Sequence, residues 1–172
     1  WNFLDFKPGF VGGHCVAIDP YYLYHKGLEL GYDSKIISYS RKINDMMPDY
    51  ISKDILKKLK NKNKKILIMG ITFKENCSDT RNSLVPILYR KLSKKNRIEV
   101  YDPFVHGDYY KKNNINFTYK LKENTYDAII LAVPHKKILK VGIKKIFSML
   151  KTKSFIYDIK GVLKKNKIVE SF

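Results

Sequence analysis

At 172 residues the chain is long enough for one ordinary domain with an appendage, or for two small units sharing a core. Its 44% apolar and 13% aromatic content excludes intrinsic disorder, and no apolar run approaches the roughly 20 residues needed to cross a bilayer, so no membrane partner is expected. The formal charge is +18, but the basic residues are nearly all lysine and lie scattered along the chain; only Arg41, Arg81, Arg90 and Arg97 are arginine. Bidentate reading of phosphates and bases favours arginine, so no nucleic-acid partner is expected, although the field would still steer an anionic substrate.

The sequence opens on Trp1 and runs almost directly into a dense motif, which leads us to expect a piece of a longer protein. No basic start precedes a short apolar run, so a signal peptide is not expected and the cytoplasm is the expected compartment. There Cys15 and Cys77 stay reduced thiols. Neither cysteine belongs to a CxxC, and His14, His25, His106 and His135 show no ligand spacing, so no metal site is expected.

In chain order, residues 1–18 read as a loop broken by Pro8, Gly9, Gly12 and Gly13. Asp19 and Pro20 read as a helix cap followed by a first-turn proline, opening a helix that stops at Gly31. Asp33 or Ser34 can cap a second helix with Ile36, Ile37, Tyr39 and Ile43 on its apolar face. After Pro48, residues 49–60 repeat the helical pattern, so two or three helices, one of them long, are expected before residue 61. Beyond a lysine-rich hinge at 61–64 the periodicity changes. Strands are predicted at 66–69, 98–101, 116–119, 128–133 and 155–159, with helices over 83–92 and 138–150. Strands alternating with helices predict an α/β fold: a helical linker segment (residues 1–62) followed by a Rossmann-like open parallel sheet (residues 63–172). Such sheets bind ligands at the carboxyl ends of their strands. Residues 72–81, Asp102 with Pro103, and His135 fall there, the plainer readings of the last two being a turn and a surface histidine.

Residues 6–23, reading FKPGFVGGHCVAIDPYYL, carry the densest chemistry. They set a thiol after a glycine-rich loop and before a helix. A helix N-terminus stabilises nearby negative charge and so favours the nucleophilic thiolate form of a cysteine. Glycine N–H groups can cradle an anion, and Asp19, four residues on, carries a carboxylate able to position water or move a proton. A buried structural cysteine beside a turn has the same local pattern, so the residues alone leave both readings open.

This segment resembles the active-site loop of the UDP-glucose/GDP-mannose dehydrogenase family, in the form found in the branch that oxidises UDP-N-acetylhexosamines. Later segments agree in order: Arg41 to Asp45 with Met47 and Pro48 are similar to the middle of the family's dimerisation helix. Residues 69–76 with 79–83 resemble its second ligand loop, and residues 101–103 with 131–136 its C-terminal domain. The resemblance implies a 6-dehydrogenase that uses two NAD+ to oxidise the sugar's primary alcohol to a uronate for surface polysaccharides. It implies Cys15 as nucleophile and Asp19 as the carboxylate assisting water. Phe6, Lys7, Pro8, Gly9, Gly12 and Lys74 would contact a UDP-sugar, Arg81 would reach the NAD, and a homodimer would form through the helices at 34–60. Ala17 stands where many relatives carry proline or glycine. No Gly-x-Gly-x-x-Gly occurs in the 172 residues, so the dinucleotide fingerprint expected of such an enzyme is not in this chain, which alone should not turn over substrate; the alternative reading is a dimerising UDP-sugar-binding module without catalysis.

Overall fold

The structure, a computed structural model, describes residues 9–171. Two helices come first, α1 (Asp19–Glu29) and α2 (Lys35–Leu59). Then follow β1 (Lys65–Met69), α3 (Val85–Ser93), β2 (Arg97–Tyr101), α4 (Gly107–Lys112), β3 (Tyr126–Leu131), α5 (Lys136–Lys140), α6 (Ile143–Ser148), β4 (Leu150–Asp158) and β5 (Val169–Ser171). All strand pairs are parallel, in the order β2-β1-β3-β4-β5. The expected α/β fold, helices followed by an open parallel sheet, is what forms. The chain steps outward from β1 to β2 and then returns to the other side of β1 for β3. This reversal sets the carboxyl ends of β1 and β3 side by side.

Strand alternation divides the core. Ile66, Ile68, Ala128 and Ile130 face one layer with Ile51 and Ile55 of α2 and Leu88 and Leu92 of α3. Leu67, Met69, Ile129 and Leu131 face the other, with Ile138 of α5 and Ile146 of α6. Each of these side chains is almost wholly withdrawn from water, which stabilises the fold by roughly 1.5–3 kcal/mol per large aliphatic group.

Several local expectations change. Of the two or three helices expected before residue 61, two form, and the stretches on either side of Pro48 are one long helix with the buried Pro48 inside it. Asp19 is the first helical residue rather than the cap, which is Ile18, and neither Ile18 nor Ser34 makes a side-chain capping bond. The helix expected over 138–150 splits into α5 and α6 at Gly142, whose φ of 87° breaks the spiral. Residues 116–119 make only one bridge, Phe117 to Val100. The short elements α4 and β5 had no counterpart in the sequence reading. The apolar face at 34–60, the expected homodimer surface, finds a partner within the chain over half its length: Ile51, Ile55 and Leu59 are buried, while Ile36, Tyr39, Ile43, Met46 and Tyr50 are exposed.

Candidate functional site

Three loops converge at the carboxyl edge of the sheet. Gly70 ends β1 at φ 87°, and a Cβ there would lie 2.5 Å from the Val133 carbonyl oxygen after β3. Only glycine permits both the backbone angle and that approach. The loop then runs outward through Thr72, Phe73, Lys74 and Glu75 and returns through Asp79 and Arg81; Phe73 N–H donates to the Asp79 carbonyl at 3.1 Å.

Its root and tip are tied to buried polar groups. Asp102, at the end of β2, accepts Ile71 N–H at Oδ2 (2.7 Å) and Phe104 N–H at Oδ1 (2.8 Å). His135 lies after β3 with its side chain fully buried, so the surface reading of this residue is corrected. Its Nδ1 accepts Asn76 N–H at 2.9 Å, so the ring proton sits on Nε2, 3.0 Å from Asp102 Oδ2 and 3.2 Å from Thr72 Oγ1. Asp102 is both the start of the expected turn and a buried anchor.

The cysteine loop docks on this framework. Val11 exchanges two hydrogen bonds with the Asn44 side chain of α2, at 3.0 and 2.9 Å. Gly13 N–H donates to the Arg81 carbonyl (3.2 Å), and Asn82 Nδ2 donates to the Gly13 carbonyl (3.0 Å). A Cβ on Gly12 would stand 2.6 Å from the Asn82 carbonyl oxygen, and one on Gly13 would stand 2.9 Å from the Phe73 ring. These two glycines therefore permit close packing. The Gly13 N–H, one of those read as an anion cradle, is taken up by Arg81. Cys15 is exposed in the turn that enters α1, and its carbonyl accepts the N–H groups of Ile18 and Asp19, both at 2.8 Å. Asp19 is exposed at the first helical position. The structure thus brings Gly12, Cys15, Lys74 and Arg81 onto adjoining loops, while Phe6, Lys7 and Pro8 lie outside the described residues.

Charges mark the rim. Arg81 grips Asp79 through Nε and Nη2, at 3.0 and 2.6 Å, and these bonds hold the Asp79 carboxyl down at about 2 and raise the guanidinium. Lys74 is exposed with its ammonium 5.3 Å from the Phe73 ring centre. Beside it, burial is the largest influence on the Glu75 carboxyl and would raise it, but Lys160 Nζ, 2.6 Å from Oε1, together with its own backbone N–H and other nearby charge leaves it lowered. Lys160 follows β4, and its side chain fills the space a Cβ on Gly9 would need, at 2.9 Å. Asp158, fully buried at the end of β4, anchors that turn by accepting the N–H groups of Lys160 and Leu163, and burial raises its carboxyl. Sequence reasoning gave no role to Asn44, Glu75 and Asn82, although they lie in segments it singled out, and it missed Lys160, whose signal was its place just beyond a strand's carboxyl end. Cys77 is half-buried, with its thiol 3.4 Å from the Lys74 carbonyl.

Comparison with known proteins follows this geometry. Residues 67–165 match the UDP binding domain of the UDP-glucose/GDP-mannose dehydrogenase family, and residues 2–46 match that family's central domain. The chain belongs to the UDP-glucose/GDP-mannose dehydrogenase family. Among curated relatives, UDP-N-acetyl-D-glucosamine 6-dehydrogenases of Salmonella typhi and Pseudomonas aeruginosa are 39% and 38% identical over 95% and 97% of this chain. The chain spans 40% and 41% of the length of those relatives. A solved UDP-D-ManNAc dehydrogenase from Pyrococcus horikoshii superposes over 95% of this chain and 39% of its own, with a TM-score of 0.77 at 23% identity. That likeness speaks for the fold. Among the described residues no helix is long and apolar enough to cross a membrane.

Proposed function

We propose that the chain is the thiol-bearing and nucleotide-sugar-binding part of an NAD-dependent UDP-N-acetylhexosamine 6-dehydrogenase. The observation that carries this reading is the docking of the Cys15 loop, through Gly12 and Gly13, onto the loop holding Lys74 and Arg81 at the sheet's switch point. In this reading Gly9 and Gly12, with Phe6, Lys7 and Pro8, line the nucleotide-sugar site. Lys74 sets a point charge beside the diphosphate.

Cys15 acts once the C6 alcohol has become an aldehyde. Its thiolate adds to the carbonyl carbon and the oxygen takes a proton, giving a thiohemiacetal. Loss of hydride from that carbon, with release of the hydroxyl proton to water, leaves a thioester. Water then attacks the thioester, Asp19 orients the water and relays its proton, and the uronate leaves with the thiol restored. NAD, when bound, supplies the hydride acceptor for both oxidations. Arg81 meets it in this reading, supported by a side chain that is 65% exposed and that holds another anion, the Asp79 carboxylate. With no glycine fingerprint in the sequence, the residues present fit one edge of a dinucleotide site, and a further domain would supply the rest. The chain alone therefore binds UDP-sugar without turnover.

Homodimerisation through α1 and the exposed stretch of α2 belongs to the same proposal, supported by the bare faces of Leu23, Ile36, Tyr39 and Ile43. Calorimetric titration of this chain with UDP and with UDP-N-acetylglucosamine tests the reading. Binding weakened at least about tenfold by Lys74→Ala, as loss of a charged contact requires, supports it. Absence of binding to either ligand by the folded chain would remove it.

A further inference from the structure

His135 and Asp102 are buried outside the set of residues assigned to substrate or cofactor, yet three of their four polar side-chain atoms are directed at one loop or its root, while Asp102 Oδ1 accepts Phe104 N–H. Asp102 Oδ2 holds Ile71 N–H, the first amide after Gly70. His135 Nδ1 holds Asn76 N–H, five residues farther along. The Asn76 side chain closes a second tie by accepting Lys136 N–H at Oδ1, 2.8 Å away. Asn76 itself sits at φ 58°, a left-handed conformation that asparagine tolerates but does not prefer, so those bonds also offset a local backbone cost. Between the two ties lie Thr72, Phe73, Lys74 and Glu75. Thr72 Oγ1 donates to the Lys74 carbonyl at 2.8 Å, which carries the restraint to Lys74's own backbone.

We propose that His135, oriented by Asp102, is a positioning residue: it fixes the 72–76 turn, and with it the Lys74 ammonium and the Phe73 ring on which Gly13 of the cysteine loop rests. Nδ1 and Nε2 are both engaged, and the side chain has no exposure, so the imidazole does not reach a substrate. Its Nε2 faces Asp102 and Thr72 together, so the three do not form a relay with a free nucleophile. The effect on ligand passes through the loop. The link to UDP rests on the reading above; the link to the loop does not.

The ring's two roles separate by substitution. A glutamine at 135 brings its amide to the Nε2 position, keeping a donor for Asp102 and giving nothing to Asn76. An asparagine brings its oxygen near Nδ1, keeping an acceptor for Asn76. In hydrogen exchange on this chain, His135→Gln speeds exchange of the Asn76 amide at least about tenfold, the loss expected for one buried hydrogen bond, while Leu67 and Ile129 in the central strands keep their protection. His135→Asn restores slow exchange. UDP affinity falls about tenfold in the glutamine variant. In the double variant with Lys74→Ala it falls no further than in Lys74→Ala alone, because both changes act through one contact.

Unchanged exchange at Asn76, or additive losses of affinity, would overturn the proposal. Should His135→Gln not fold, the unaltered chain reads the same tie: an NMR coupling across the hydrogen bond from Asn76 N–H to His135 Nδ1 is expected. Its absence would again overturn the proposal. If the unaltered chain binds no UDP, the functional reading fails while the exchange at Asn76 still decides the role of His135.

Discussion

The two halves of α2 carry apolar residues at the same helical spacing, yet they end in opposite surroundings. Ile51, Ile55 and Leu59 are buried against α3 and the sheet, with exposures of 1%, 0% and 7%; Ile36 and Ile43 remain 82% and 60% exposed. Periodicity declares that a face wants covering, but only the tertiary arrangement says what covers it. The helix thus belongs half to a closed core and half to an open surface, and the cysteine loop is fastened between them, at Asn44.

Deleting side chains on the two halves should break their symmetry most visibly. Ile55→Ala is expected to cost about 2–5 kcal/mol of unfolding free energy in urea, because it leaves a cavity under the sheet. Ile36→Ala in the same assay, with the chain dilute enough to be monomeric, stays within about 0.5 kcal/mol. Equal costs would mean that the exposed half is packed in solution against the chain's own core.

Two glycines repeat the contrast on a smaller scale. Gly70 and Gly31 have similar angles, φ 87° and 78°, but a Cβ at Gly70 meets Val133 at 2.5 Å whereas one at Gly31 meets nothing within 4 Å. Gly70→Ala should cost about 2 kcal/mol or more and Gly31→Ala about 1 kcal/mol, the second from backbone strain alone. Thermal unfolding of the pair checks this.

Much of this architecture was legible in the residues. Ile66, Leu67, Ile68 and Met69 announce a strand buried on both faces, and Gly70 announces the turn beyond it. Where legibility failed, the deciding contacts were non-local. α4 is six residues long with one buried side chain, Tyr110, too few to set a period. β5 exists through three pairings with β4. Pro48 lacks a donor and so left the number of helices open; packing of the residues that follow it holds α2 in one piece. For the site, the motif pointed to Cys15 and the 72–81 loop. It gave no sign that His135 is buried, since a lone histidine has no pattern, nor that Asn44 and Asn82 fasten the cysteine loop.

The open half of α2 provides a third contrast. If it meets a second copy, Ile43→Lys weakens self-association at least about tenfold in sedimentation equilibrium while leaving monomer stability unchanged, as expected for a charge forced into an apolar interface. A chain that is monomeric at all concentrations removes the dimer from the proposal.

The smallest effect concerns the rim. Arg81 depresses the Asp79 carboxyl from 3.8 to about 2, so the stability it contributes is complete above its ordinary value and is lost as pH falls through about 2. A carbon-detected NMR titration should place Asp79 near 2, and Arg81→Gln should return it toward 3.8. Insensitivity to that substitution would show that the pair is not formed in solution.

The proposed role of Cys15 as the thiol of a UDP-N-acetylhexosamine 6-dehydrogenase is open to an assay of NADH formation from UDP-N-acetylglucosamine and UDP-N-acetylgalactosamine, with the chain joined to a dinucleotide-binding domain of its family. Turnover is expected in the joined protein, none in this chain alone, and none in joined Cys15→Ser with the fold intact. Full activity of Cys15→Ser, or no turnover of either sugar by a folded joined protein, would contradict it.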